Sequence, residues 1–372
     1  MHIILIKPAS GLCNMRCDYC FYCDESAKRE RQSYGFMSEE TIRNIIEKVL
    51  NRAKQDVCFA FQGGEPTLCG LGFFEKVIEF ENIYNKKKLH ILNTIQTNGF
   101  HIDENWCRFL KGHDFLVGVS VDGTEEDHDR YRHTKDGMPT YRKIHSTIEL
   151  FKRYEIQYNI LTVVNSGTAE NIKTIYREYK KNGWNYQQYI TCLDPLGEEN
   201  GMREYSLTPE AYGSFLKELF DLWYKDWRRG KMPYIRQFEN YIGILLGYLP
   251  ESCEQRGICS VQGVTEADGS VYPCDFYVLD QYRLGNYNAD SIPSLFQNET
   301  AVKFVEESRE ISPVCTECRH YDLCRGGCRR SRIKEESGDT YRSYYCESYK
   351  TFFDYSRQRL EEIAKFLSSS SH

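Results

Sequence analysis

The segment Cys13-Asn-Met-Arg-Cys17-Asp-Tyr19-Cys20-Phe21-Tyr22 spaces three cysteines C-x3-C-x2-C just after the first apolar run of the chain, residues 3–7. Three thiolates leave one iron of a four-iron cluster without a protein ligand. Electron-transfer clusters are held by four cysteines, and closed structural zinc sites also take four protein ligands. The open iron is therefore a place for chemistry. Tyr19, Phe21 and Tyr22 set aromatic rings around the third cysteine. A three-cysteine loop without function is the plain alternative.

Outward from this loop, strand and helix patterns alternate. Strands are expected at residues 3–7, 57–61, 89–95, 115–121, 156–164 and 186–192. Helices are expected after Ser38, where Ile42, Ile45, Ile46, Val49 and Leu50 keep helical spacing behind an N-cap. Further helices are expected near 73–84, 103–111, 141–154 and 169–182. Six βα units in series imply parallel strands with right-handed crossovers, as an open doubly wound sheet or a partial barrel.

The residues that follow each strand decide between the two. In order they are the cysteine loop, Gln62-Gly-Gly-Glu-Pro66, Gln96-Thr-Asn98, Ser120-Val-Asp122-Gly123, Val163-Val-Asn165 and Thr191-Cys-Leu-Asp194-Pro195. Polar and glycine-rich residues thus gather on the C-terminal rim, where βα barrels place their active sites. A doubly wound sheet concentrates its contacts at one switch point instead. A partial six-unit barrel is expected.

At 372 residues the chain is long enough for a catalytic domain and a smaller one, since single cores stop growing near ~250–300 residues. Lys and Arg total 48 against 54 Asp and Glu, a formal net charge of −6, which argues against a nucleic-acid or anionic-membrane partner. No run of about 18 apolar residues occurs, and the start carries no secretory core. A cytoplasmic protein is expected. Sixteen cysteines in such a chain point to metal or redox chemistry. Cys23, Cys58, Cys69, Cys107 and Cys192 follow no ligand spacing, and most of them are expected to be small buried hydrophobes.

Eight more cysteines crowd a second region: Cys253-x5-Cys259-x14-Cys274, Cys315-x2-Cys318-x5-Cys324-x3-Cys328, and Cys346. Eight ligands suit two fully ligated four-iron clusters. Two structural zinc sites are the alternative, because C-x2-C is also zinc-like.

The first triplet, with Tyr19, resembles the radical S-adenosylmethionine (SAM) enzymes, in which the methionine end of SAM chelates the open iron. The Gly63-Gly64-Glu65-Pro66 turn resembles the motif that holds the methionyl amine, its glycines allowing close approach and exposing amides and carbonyls. Ser120 and Arg132 are expected to reach the same ligand, Arg132 as a cation for its carboxylate; for Arg132 a surface ion pair is the alternative. The second cysteine group resembles the SPASM domain. By that resemblance Cys253, Cys259, Cys274 and Cys328 hold one auxiliary cluster, and Cys315, Cys318, Cys324 and Cys346 the other. Three [4Fe-4S] clusters are implied, and loss of a ligand should harm folding too.

More specifically, Leu5-Ile-Lys-Pro8, Phe59-x-Phe-Gln-Gly-Gly-Glu-Pro-Thr67, Gln96-Thr-Asn-Gly99, Gly118-x-Ser-x-Asp-Gly123, Asp194-Pro195, Gly269-Ser-Val-Tyr-Pro-Cys-Asp-Phe-Tyr277 and Cys324-x-Gly-Gly-Cys-Arg-Arg330 resemble the anaerobic sulfatase-maturating enzymes. These oxidise an active-site Cys or Ser of a sulfatase to Cα-formylglycine. The resemblance implies that a 5′-deoxyadenosyl radical takes hydrogen from Cβ of the target, that Asp275 takes a proton as base, and that an auxiliary cluster takes an electron. It also implies that Tyr22 lies near the substrate cysteine and that Leu193 lines the adenine pocket through its backbone. For Asp275 a purely structural hydrogen-bonding role is the alternative.

The expected division is a barrel with linker helix at 1–232, a cluster domain at 233–346 and a C-terminal helix and tail at 347–372. The aromatic stripes of 209–229 and 234–249 are expected to be core, and 368–372 a frayed end. Expected partners are an unfolded sulfatase or precursor peptide and an electron donor such as flavodoxin or ferredoxin, the enzyme being a monomer. Two rivals stand beside this reading: a maturase that crosslinks a ribosomally made peptide, and a non-catalytic metal-binding scaffold. The first often carries an N-terminal peptide-recognition domain, which the early first strand argues against. The second leaves the open triplet and Gly-Gly-Glu-Pro unexplained. Whether the target is Cys or Ser stays open.

Overall fold

The computed structural model describes residues 2–335, 338 and 340–370. In chain order its first elements are β1 (His2–Ile6), β2 (Met15–Cys17), α1 (Phe21–Ala27), α2 (Glu39–Arg52), β3 (Val57–Phe61), α3 (Leu71–Tyr84), β4 (Ile91–Thr97), α4 (Glu104–Gly112) and β5 (Leu116–Ser120). Then come α5 (Glu125–Tyr131), β6 (Arg132–Thr134), α6 (Tyr141–Arg153), β7 (Tyr158–Val164), α7 (Ser166–Glu170), α8 (Ile172–Lys181) and β8 (Tyr186–Thr191). The six expected strands are present as β1, β3, β4, β5, β7 and β8. Ser38 caps α2 as its spacing implies, accepting from the Thr41 amide at 3.1 Å.

Two expectations need correction. The single helix expected near 169–182 is two helices. Asn165 starts α7 with a reciprocal capping box to Thr168, and Asn171 leaves helical geometry while its side chain donates to Asp127 at 2.9 Å. The tail at 368–372 is not frayed at its start. Ser368 and Ser369 continue the C-terminal helix Cys346–Ser370, and their hydroxyls donate to the carbonyls of Ala364 and Phe366; residues 371–372 lie outside the described residues.

The chain forms two compact units. One comprises Met1–Val121, His128–Asn159 and Val261–Phe304, the other Asp122–Asp127, Ile160–Ser260 and Val305–His372. Both are discontinuous, whereas the sequence suggested successive stretches. The reason is a returning segment. After α9 (Pro209–Trp227), β9 (Tyr234–Ile235) and α10 (Arg236–Leu245), the chain makes β10 (Val264–Thr265), β11 (Ser270–Tyr272) and β12 (Gly285–Asn286). β10 pairs in parallel with β1, and β11 and β12 extend that edge antiparallel.

In the first unit the strand order is β12-β11-β10-β1-β3-β4-β5, with β10 through β5 parallel. Its strands alternate little because helices cover them. Phe61 packs on Phe74 at 5.1 Å between ring centroids, and Phe74 on Trp106 at 5.4 Å. Each fully buried Phe contributes roughly 1.5–3 kcal/mol. A separate two-stranded ribbon, unforeseen in the sequence, pairs β2 with β6 antiparallel and sets Cys17 opposite Arg132.

In the second unit β7, β8 and β9 are parallel neighbours. Helix α9 packs along the C-terminal helix. Phe220, Trp223, Phe238 and Phe352 are buried together, and the Trp223 indole donates to Pro233 O at 2.9 Å. The aromatic stripes are largely core, with Tyr224, Trp227 and Tyr234 half-buried and Tyr248 exposed.

Candidate active site and cluster sites

In the first unit the parallel strands end side by side, so Lys7, Gln62, Asn98, Ser120 and, after β10, Glu266 stand on one rim. Cys13, Cys17 and Cys20 lie on the loop and ribbon that follow β1. Each of these sulfurs has a donor beside it. The Met15 amide and the Asn98 side chain approach the Cys13 sulfur at 3.4 and 3.6 Å, and the Arg132 guanidinium approaches Cys17 at 3.9 Å. Backbone amides of Tyr22 and Cys23 face Cys20. Such donors stabilise thiolates, the form that binds metal. The three thiols with their donor shell fit an iron–sulfur cluster.

Arg132 is buried, with its guanidinium 5.5 Å from the Tyr19 ring centroid. Tyr19 in turn meets Tyr131 edge-on at 6.3 Å. Arg132 is thus buried beside the cysteine loop rather than lying at the surface.

The Gly63-Gly64-Glu65 turn differs in one respect from expectation. The Gly64 and Glu65 amides are not exposed: they donate to the carbonyls of Ser10 and Leu12 at 2.9 and 2.8 Å. A Cβ on Gly64 would stand 2.0 Å from the Leu12 oxygen, so only glycine lets the cysteine loop pass here. Glu65 is fully buried. Its Oε1 accepts from the Thr67 amide, the Thr67 hydroxyl and the Thr97 hydroxyl, and its Oε2 from the Asn98 amide at 2.7 Å. The carboxylate thus ties this turn to the end of β4.

Asp275 opens a 3-10 turn after β11, directly behind Cys274. Its Oδ2 accepts from the Tyr22 hydroxyl at 2.6 Å and from the Gln62 side-chain amide at 2.7 Å. Among the described residues its Oδ1 is buried without a hydrogen-bond partner. Burial pushes its carboxyl above the usual range, against the pull of Lys7 and the Tyr22 hydrogen bond. Lys7 stands 4.6 Å from the Tyr22 ring centroid and pairs with Glu266 at 2.9 Å; Arg29 reaches the same Glu266 oxygen at 2.7 Å. Burial opposes ionisation of Glu266, yet Lys7 and Arg29 hold its carboxyl down at about 2. Glu25, also buried here, is pushed up to about 8 by burial.

Sequence reasoning missed Gln62, Lys7, Arg29 and Glu266 as parts of this site. Gln62 and Lys7 carried a usable signal, since each follows a strand on the active rim. Arg29 and Glu266 carried none, because only the pairing of β10 with β1 brings Glu266 there.

In the second unit Leu193 follows β8. The Arg330 guanidinium donates to Asp194 O at 2.7 Å and the Tyr345 hydroxyl to Cys192 O at 3.2 Å. Cys315, Cys318, Cys324 and Cys346 line one cavity. Cys253, Cys259 and Cys328 lie close enough for their charges to interact, and burial pushes the Cys328 thiol up to about 12. Arg332 donates to the carbonyls of Ser308, Gly257, Gly326 and Gly327, a polar clasp where apolar core is scarce. Among the described residues no His, Cys, Asp or Glu side chains converge in a group of three as ligands of one ion would; ligands of a four-iron cube surround it rather than meet at a point.

The family described as Radical SAM superfamily matches residues 8–179, and that described as SPASM, iron-sulfur cluster-binding domain, matches residues 259–319. Fold and site therefore define a radical SAM enzyme, a partial (β/α)6 barrel followed by a SPASM domain, that uses SAM and three [4Fe-4S] clusters. The chain is 46% identical to the cysteine-type anaerobic sulfatase-maturating enzyme of Clostridium perfringens (strain 13 / Type A) over 97% of this chain and 98% of that one. It is 29% identical to the serine-type enzyme of Bacteroides thetaiotaomicron over 98% and 91%. The solved structure of native anSMEcpe with bound AdoMet and Kp18Cys peptide superposes with a TM-score of 0.93, at 46% identity, over 98% of this chain and 99% of that one. The chain belongs to the anaerobic sulfatase-maturating enzymes. Among the described residues no helix is long and apolar enough to cross a membrane.

Proposed function

We propose that this enzyme oxidises a cysteine of a sulfatase polypeptide to Cα-formylglycine. Full-length similarity near half identity to cysteine-type enzymes, against 29% to a serine-type one, favours cysteine as the target. When bound, SAM and the open cluster supply the radical that removes a hydrogen atom from Cβ, and an auxiliary cluster takes up the electron. Asp275 takes the proton from sulfur. Its Oδ2 is held by Tyr22 and Gln62 while Oδ1 keeps its accepting capacity, and this arrangement is the observation that carries the reading. The thioaldehyde so formed adds water and releases hydrogen sulfide, leaving the aldehyde.

Cys13, Cys17 and Cys20 hold the open cluster. Cys253, Cys259, Cys274 and Cys328 hold one auxiliary cluster, and Cys315, Cys318, Cys324 and Cys346 the other. Tyr19, Gly63, Gly64, Glu65, Ser120, Arg132 and Leu193 form the SAM site. With the Gly64 and Glu65 amides already engaged, carbonyl oxygens are what the glycine turn offers an ammonium group, and Glu65 acts by fastening that turn. Tyr22 serves the substrate pocket by orienting Asp275. The enzyme works as a cytoplasmic monomer and takes electrons from a flavodoxin or ferredoxin.

The test is anaerobic incubation with SAM, reductant and a peptide bearing Cys-x-Pro-x-Arg or its Ser counterpart, read by mass spectrometry. Preferential conversion of the cysteine peptide is expected. Conversion of neither, with modification only of a precursor bearing a long leader, would replace this reading by the ribosomal-peptide maturase.

A further inference from the structure

Asn98, at the end of β4, is buried and engages its neighbours through three groups at once. Its main-chain amide donates to Glu65 Oε2 at 2.7 Å. Its side-chain Oδ1 accepts from the Phe100 amide at 2.9 Å. That second bond fixes which way round the carboxamide lies, because only the oxygen can face an N–H donor. The Nδ2 group is therefore turned to the cysteine loop. There it donates to Asn14 Oδ1 at 2.8 Å and stands 3.6 Å from the Cys13 sulfur, a hydrogen-bonding distance for an acceptor as large as sulfur. Two hydrogens on Nδ2 meet two acceptors.

The donor is firmly placed. Thr97 and Asn98 both bind Glu65, and the Gly99 amide returns to the Thr97 hydroxyl at 3.0 Å. The Asn14 carboxamide, turned by its bond from Asn98, keeps its own Nδ2 buried without a partner among the described residues. The loop around Cys13 thus holds more amide hydrogens than its protein acceptors use. A cysteine bound to iron is a thiolate, which accepts and does not donate. Hydrogen bonds to ligand sulfurs favour the more negative, reduced cluster and so raise its potential. A carboxamide does this without carrying charge of its own.

We propose that Asn98 is a positioning residue for the open cluster, donating one carboxamide hydrogen to the Cys13 sulfur and raising the potential at which that cluster accepts an electron. The proposal rests on Cys13, Cys17 and Cys20 being the ligands. Changing those three to Ala tests that separately: retention of all iron there would sink the ligand assignment, whatever Asn98 does.

The test compares full-length reconstituted wild type, Asn98→Ala and Asn98→Asp by redox titration monitored by electron paramagnetic resonance. The open cluster is recognised by the change in its signal when SAM is added. Asn98→Ala removes the donor and keeps the main-chain bond to Glu65. Asn98→Asp keeps the shape and the oxygen that meets Phe100, but sets a carboxylate oxygen where the donor stood. Both variants are expected to keep full iron content while the open cluster titrates at lower potential, the aspartate variant at least as low as the alanine one. The auxiliary clusters are expected to keep their potentials. An open cluster at wild-type potential in both variants would overturn the proposal. So would a drop in Asn98→Ala alone, which would trace the effect to the lost Phe100 bond rather than to the donor. Loss of about a third of the iron in both variants would make Asn98 a structural support of the loop, and would also overturn it.

Discussion

The Tyr22 hydroxyl donates to Asp275 across 2.6 Å although 253 positions separate the two in the chain. Tyr22 sits on the helix that begins at the last cysteine of the triplet, and Asp275 stands next to a cysteine of the second group. The contact couples the open-cluster loop to the carboxylate proposed as base.

That carboxylate gives the first prediction. Asp275→Asn keeps the shape and the two-atom hydrogen-bonding fork but removes the proton acceptor. It is expected to bind SAM and form 5′-deoxyadenosine while formylglycine yield falls by about 10²–10⁴-fold, the usual worth of a positioned base. Wild-type product yield would reduce Asp275 to a structural role.

Tyr22→Phe removes a donor that favours the ionised carboxylate. Asp275 already lies above its usual range because of burial, and the Tyr22 bond holds it down. The base works ionised, so activity falls as pH drops through its pKa. Losing the donor raises that pKa, and the acidic limb of the pH–rate profile will move to higher pH. At neutral pH a loss of roughly ten- to a hundredfold is expected, since a hydrogen bond to a charged group is worth about 1.5–3 kcal/mol. An unmoved limb would show that Tyr22 does not act through Asp275.

Gly64→Ala places a methyl group where Leu12 O now stands. The cysteine loop must shift, and the triplet with it. Iron in the reconstituted protein is expected to drop from about twelve atoms per chain toward about eight, the same value expected for the Cys13/Cys17/Cys20 triple Ala variant. Unchanged iron by elemental analysis would mean the loop tolerates the displacement.

Glu266→Gln leaves Lys7 and Arg29 buried without their anion. Removing one partner of a buried ion pair costs about 3–5 kcal/mol. The stabilisation is fully present at neutral pH, because a carboxylate held down at about 2 loses it only as pH falls below the usual carboxylate range. Anaerobic denaturant titration at neutral pH will show a lower midpoint with unchanged slope; an unchanged midpoint would show that water replaces the lost anion.

Much of this was legible along the chain because the signals are local. Hydrophobic periodicity places strands and helices within a few residues, Ser38 announces its helix, and ligand spacing in C-x3-C-x2-C is a property of one loop. The exceptions have local causes as well. Asn171 interrupts a helix through its bond to Asp127, and the three-residue strands Met15–Cys17 and Arg132–Thr134 are too short to show a period.

The sequence by itself determined the six βα units and the eleven candidate cluster cysteines, because spacing and periodicity are carried by neighbours in the chain; the candidate base came from the family resemblance of the motif around Cys274. Only the tertiary structure decided what surrounds them. The return of Val264–Thr265 to the free side of β1 brings Glu266 to Lys7 and Asp275 to Tyr22 and Gln62. Such partners are selected by burial, which removes water and obliges each buried polar group to find another, and no short-range pattern records that choice.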